Sequence, residues 1–215
     1  MNYLEAKKIM GANFIGPEEL NKIKKPMGLK NPLMAKIPAI PFTSQLLNKI
    51  KRDYLLILGM PKNSANKPLT INELRKTFGY DPKNFQPCFY NQDWYLKEKF
   101  ASYVTLANQW YLIKKTISPN TLGKQPKDLL KTLNNNISLP SAILTAYAFF
   151  AFYFLNNGKK LWVNNFIWCN DTDHNGDQIY VGRYCDPKKI NKNGFNIHRY
   201  LTINKIYGLA PIITK

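Results

Sequence analysis

The residues best equipped for chemistry gather in one short stretch, Asp171-Thr172-Asp173-His174-Asn175-Gly176-Asp177. Oxygen-bearing side chains at Asp171, Asp173, Asn175 and Asp177 alternate around a glycine, a spacing that can wrap a hard cation such as calcium. An EF-hand is excluded, because Gly182 stands where that loop needs a bidentate Glu and Ile179-Tyr180-Val181 predicts a strand where the exiting helix belongs. The same residues also read as an acidic β-turn in which Asn175-Gly176 supplies positive φ angles. Both readings stay open at this level.

Other chemistry is sparse. The histidines are His174 and His198, and a metal-dependent nuclease using them would have to bring both beside Asp171 or Asp173 across a hairpin. No base, nucleophile and orienting group stand in a recognisable pattern, so no catalytic residue is assigned and no cofactor is required. Cys169 and Cys185 flank the acidic stretch without CxxC spacing and leave Cys88 over, which favours buried thiols above a disulfide or a metal site. Glycine-rich phosphate loops and serine nucleophile elbows are absent.

The elements that must hold this stretch can be read from periodicity. Ile179 and Val181 alternate with Gln178 and Tyr180, and Phe195 and Ile197 alternate with Asn196, His198 and Tyr200, as in strands with one face in the core and one in solvent. Those outward positions, with Arg183 and Arg199 nearby, carry Tyr, His, Asn and Gln where Lys, Glu and Thr are the usual filling. Tyr offers rigid contact area and Asn adaptable hydrogen bonds, the composition of a binding surface, and the same filling also reads as a solvated face biased by codon usage. Upstream, Pro140 to Leu155 is an uncharged run too short for a membrane span, and reads as a buried core helix. Tyr54 to Leu58 and Trp110 to Ile113 predict strands, and Thr70 with Glu73 forms a capping box that opens a helix to about Phe78. Residues 1 to 10 read as helix, and a helix from Pro17 to about Lys25 is followed by a connector broken by Pro32, Pro38 and Pro41.

Composition fixes the broad class. The chain has 215 residues, of which 45% are hydrophobic and 13% aromatic, enough for a packed core and unlike a disordered chain. Lys and Arg number 31 against 13 Asp and Glu, a formal charge of +18 that makes a nucleic-acid partner possible. The basic residues are mostly Lys scattered along the chain, which weakens that reading, since Arg is the residue of bidentate base and phosphate recognition. The polar opening residues lack the apolar core of a signal peptide, so a cytoplasmic location is expected, with surface display left open.

The C-terminal residues carry a resemblance. Phe166-Ile167-Trp168-Cys169-Asn170-Asp171-Thr172-Asp173, Asp177-Gln178-Ile179-Tyr180-Val181-Gly182-Arg183-Tyr184, Gly194-Phe195-Asn196-Ile197-His198 and Tyr207-Gly208-Leu209-Ala210 resemble the closing segment of C-type-lectin-fold proteins related to the formylglycine-generating enzyme. More narrowly, they are similar to the variable proteins of diversity-generating retroelements, in which adenine-directed copying errors turn Asn codons into Tyr, His, Asp, Ile, Thr or Ser codons. Gly11 to Glu19, Phe89 to Tyr95 and Trp110 to Leu112 resemble segments of bacterial proteins with the same type of tail. Cys169 and Cys185 do not reproduce the active cysteine pair of the formylglycine-generating enzyme, so oxidase activity is not implied.

The resulting expectation is an α+β chain with a C-type lectin-like fold, short twisted strands, a buried helix and an N-terminal helical lead-in. Residues 1–50 form the lead-in and connector, and residues 51–215 form the lectin-like domain, with a variable region at about 168–210. The function expected is ligand binding, without catalysis or a membrane span. A variable macromolecular partner, a protein, would be met by exposed Thr172, His174, Gln178, Tyr180, Arg183, Asn196, His198, Tyr200 and Asn204, side chains that contribute little packing. Calcium at Asp171, Asp173, Asn175 and Asp177 is the one cofactor the residues suggest.

Overall fold

Capping residues set most helix starts. In the computed structural model, which describes residues 1–34, 36–81, 87–184, 194–200 and 202–214, helix α1 (Tyr3–Met10) begins where the Asn2 side chain accepts from the Glu5 N–H at 2.9 Å. A two-residue strand β1 (Phe14–Ile15) leads into α2 (Pro17–Ile23), where Glu19 reaches back to the Gly16 N–H. After the proline-rich connector comes a helix the proline reading did not anticipate, α3 (Ser44–Ile50), capped by Thr43. Strand β2 (Tyr54–Leu58) and helix α4 (Ile71–Phe78) match their expected positions, and Thr70 Oγ1 accepts from the Glu73 N–H. Then follow α5 (Lys99–Ser102), β3 (Trp110–Lys114), α6 (Pro126–Lys131), β4 (Ile137–Ser138) and α7 (Ala142–Leu155). Strands β5 (Phe166–Thr172), β6 (Gln178–Tyr184), β7 (Gly194–Arg199), β8 (Tyr207–Gly208) and β9 (Ile212–Ile213) complete the described elements.

The architecture is α+β, with two mixed sheets. The first runs β1-β2-β3-β9-β4, with β1 parallel to β2 and the other pairs antiparallel. The second runs β7-β6-β5-β8, with β5 and β8 parallel. Residues 1–50 belong to the same body: β1 hydrogen-bonds to β2, and Ala6, Met10, Leu20 and Leu47 are buried in the core shared with both sheets.

Helix α7 is the hub. Every residue from Ala142 to Ala151 is buried, as an uncharged helix requires when other elements cover it all round. Its Tyr147 hydroxyl donates to the Leu58 carbonyl at 3.1 Å, tying it to the first sheet. On its other side Ile167, Cys169, Ile179, Val181, Phe195 and Ile197 of the second sheet join the same core. Among the described residues no helix is long and apolar enough to cross a membrane.

The second sheet is buried on both faces. Its other face carries Phe166, Trp168 and Tyr180, which pack with Leu129 of α6, Leu139 and Leu209 into a separate cluster flanked by Leu133, Tyr200 and Tyr207. Alternation along β6 and β7 therefore identifies correctly which residues share a face, while the assignment of the second face to solvent is corrected by the segments that lie over it.

Candidate functional site

The acidic stretch forms the tip of the β5–β6 hairpin, and it is a turn. The Asp173 carbonyl accepts from the Gly176 N–H at 3.0 Å, and the Asp173 N–H donates to the Asp177 carbonyl at 3.0 Å. Gly176 has φ +85°, whereas Asn175 is not in the left-handed region, so the glycine alone supplies the positive φ. Asp173 Oδ1 accepts from the N–H groups of Asn175 and Asp177, each at 2.9 Å, and Oδ2 pairs with Arg199 Nη1 of β7 at 3.3 Å. Burial pushes the Asp173 carboxyl up, but the two N–H donors, Arg199 and the nearby His174 together hold it below the ordinary aspartate value. The Arg199 guanidinium also lies over the Trp94 ring, 5.4 Å from its centre, and the Trp94 indole N–H donates to the Ile197 carbonyl at 3.2 Å.

Asp171 has a different task. Its Oδ2 accepts from the Ala142 N–H at 2.6 Å at the first turn of α7, while Ser141 Oγ accepts from the Leu144 N–H. Burial pushes the Asp171 carboxyl above the ordinary aspartate value, against the pull of that donor. Of the cation-loop candidates Asp171, Asp173, Asn175 and Asp177, the first two have carboxylates turned onto backbone and arginine donors. Among the described residues no group of three His, Cys, Asp or Glu is placed to hold a metal.

Beside the tip lies a cavity of about 960 Å³. One wall is the hairpin, from Asn170 to His174, and the other comprises Trp94, Phe100 and the residues around α5. Glu98 joins the walls. Its Oε2 accepts from the His174 backbone N–H at 3.0 Å and its Oε1 lies 2.6 Å from His174 Nδ1. Glu98 is buried, while the His174 side chain is 67% exposed and Thr172 is exposed beside it. Lys97 and Lys99 stand exposed on the same wall. Glu98 and Trp94 escape sequence reading because Glu98 lies 76 positions from His174, with no local pattern to mark it.

The remaining candidates divide. Tyr180 is 6% exposed, stacked on His198 with ring centres 5.4 Å apart and set against Trp168 and Tyr207, whose hydroxyl lies 3.1 Å from its own. His198 also meets Phe166 and is half-buried, and burial holds its imidazole below the ordinary histidine value. Tyr200 is half-buried against Trp168. Arg183 is 2% exposed because it follows Ile179 and Val181 in strand parity and so lies on the α7 face. Asn196 is 4% exposed and donates to the Gly194 carbonyl at 2.9 Å. Exposure at Tyr180, Arg183 and Asn196 is therefore corrected. Gln178 donates to the carbonyls of Cys169 and Asp171 across the hairpin, and Asn204 is exposed in a turn, accepting from the Ile206 N–H.

The two histidines consequently occupy different surroundings, one in the cleft with Glu98 and one in the aromatic cluster. Cys88 and Cys169 are both buried, and burial pushes the Cys88 thiol up to about 11. Cys185 lies outside the described residues, so its relation to Cys169 is outside them too. Comparison with protein-family models, with curated proteins and with solved structures finds no match to this chain.

Proposed function

We propose that the chain is a non-enzymatic binding protein with a C-type lectin-like fold, which meets a variable protein partner through the β5–β6 hairpin tip and the cleft beneath it. The observation that carries this reading is how the tip is fixed. Asp173 holds the turn through the N–H groups of Asn175 and Asp177, and Glu98 holds residue 174 through its N–H. Any residue except proline supplies such a donor, so the exposed side chains at 172 and 174 can be exchanged while the backbone that presents them is kept. The resemblance of residues 166–184 to the variable proteins of diversity-generating retroelements supports the further step that this exchange occurs by templated copying.

Burial redraws the face. Thr172 and His174 are its exposed members, with Asn170 added beside them and Tyr200 at half exposure, while Asn204 is exposed in the turn before β8, at the other end of β5. Tyr180, Arg183 and Asn196 belong to the support. The test is to sequence the 3′ end of the gene across many cells of one culture, together with its genomic neighbourhood. The expected result is substitution at adenine-bearing codons for positions 170, 172, 174 and 204, constancy at Trp168 and Arg183, and a nearby reverse transcriptase gene with a near-copy of this segment. An invariant tip with no such neighbour overturns the diversification reading.

A further inference from the structure

Lysines scattered along the sequence converge at the far end of β2 and α7. Arg52 in the turn before β2, Lys115 just after β3, and Lys159 and Lys160 just after α7 line one cavity of about 530 Å³. Asp53 is the single carboxylate there. None of the four cations forms an ion pair among the described residues. Lys115 donates to the Asn13 side chain at 2.9 Å, and Arg52, Lys159 and Lys160 are exposed. Asp53 acts electrostatically on Lys115 but offsets only part of the charge, and the excess positive charge left in one concavity is an arrangement that an anionic ligand relieves.

The floor is apolar, made by Phe152, Leu161, Trp162 and Val163, with Val163 43% exposed. Its backbone is strained. The strain lies at Trp162 (φ 49°), since the other positive φ angles nearby, at Asn157 (φ 52°) and Asn164 (φ 58°), belong to asparagines, which adopt that region readily. A bulky residue such as Trp in the left-handed region is a true outlier. It is kept by the indole N–H donating to the Lys114 carbonyl at 3.2 Å and the Asn164 N–H donating to the Arg183 carbonyl at 2.8 Å. Strain so held is characteristic of binding sites, where the surroundings fix a shape the local sequence disfavours.

We propose that this cavity is a nucleotide site, distinct from the hairpin cleft, which takes a phosphate joined to a flat heterocycle, either free or as one unit of a single strand. The cations receive the phosphate. The apolar floor takes one face of the heterocycle, and Asp53 and Thr116 on the rim meet its amino and hydroxyl donors, groups that a bare inorganic anion lacks. The cavity volume falls in the range of small-molecule pockets.

The test is fluorescence titration of the full chain with a labelled single-stranded oligothymidylate and, separately, with AMP, each in competition with inorganic pyrophosphate. Two variants carry the same change of charge: Arg52→Glu with Lys160→Glu in the proposed cavity, and Lys30→Glu with Lys62→Glu in a separate cavity lined by lysines. All four positions are exposed, and a Lys159→Gln with Lys160→Gln variant serves if the first pair impairs folding. The expected result is at least tenfold weaker binding in the first variant, a logarithmic salt slope reduced by about 1.4 for the strand, and no more than twofold change in the second. Binding of AMP alone identifies the free nucleotide as ligand, and binding of the strand alone identifies a polymer; both support the site. Equal loss in both variants, loss confined to the Lys30 and Lys62 variant, absence of binding by both probes, or pyrophosphate competing as well as AMP overturns it.

Discussion

Tyr180 shows how one side chain separates support from recognition. Its ring is enclosed by Phe166, Trp168, His198 and Tyr207, and only its hydroxyl finds a polar partner, in Tyr207. Burial, reinforced by that neighbouring phenol, raises its hydroxyl above the ordinary tyrosine value, so it stays protonated at any physiological pH. Truncation to Ala removes a buried aromatic ring from a cluster with little room to collapse. The expected destabilisation of Tyr180→Ala is roughly 3–5 kcal/mol by urea denaturation, as for other large aromatic truncations. His174→Ala, which removes a ring mostly in solvent and keeps the backbone N–H that Glu98 accepts, is expected to stay within about 1 kcal/mol of the parent, the scale of one hydrogen bond. Similar losses in the two variants contradict the division drawn here.

At the scale of the elements, the hairpin and α7 share one acidic segment. Asp171 caps the helix and Asp173 shapes the turn, so residues that look like a cation loop are committed to geometry. Asp173→Ala is expected to lose about 1–2 kcal/mol at neutral pH, from two part-buried N–H groups left without their acceptor and from Arg199 left without its partner. Because the folded carboxyl lies below the unfolded aspartate value of 3.8, its contribution is fully present above that pH and fades as the pH falls through the folded value. The gap between parent and variant in urea unfolding should therefore shrink as the solution is taken below about pH 4. A gap independent of pH contradicts the role given to the charged form. The elements themselves were largely legible: the capping box at Thr70, the uncharged run before Leu155 and the alternation of Ile179, Val181, Phe195 and Ile197 all correspond to what forms. What a sequence does not carry is which segment lies over the second face of a sheet. Leu129 and Leu139, from a short helix and a strand end with no strong pattern, bury Tyr180 and so reverse its role. Glu98 was hidden for a related reason, since its partner is brought to it only by the fold.

Across the whole molecule, the two sheets and α7 make one core from which the hairpin tip projects. Of the 31 basic residues behind the charge of +18, Arg52, Lys115, Lys159 and Lys160 are brought by the fold to one cavity, lined by residues other than those of the hairpin cleft. The central claim is that the tip is an exchangeable recognition face on a fixed body. It is tested most directly by two displayed libraries, one randomising Asn170, Thr172 and His174 and the other randomising Tyr180, Arg183 and Asn196, each scored for protease resistance and selected for binding to a single unrelated protein target. The account predicts that most members of the first library fold and that selection yields binders whose affinity depends on the chosen tip residues, while most members of the second are degraded. A first library degraded as extensively as the second, or folded yet without any binder, contradicts it.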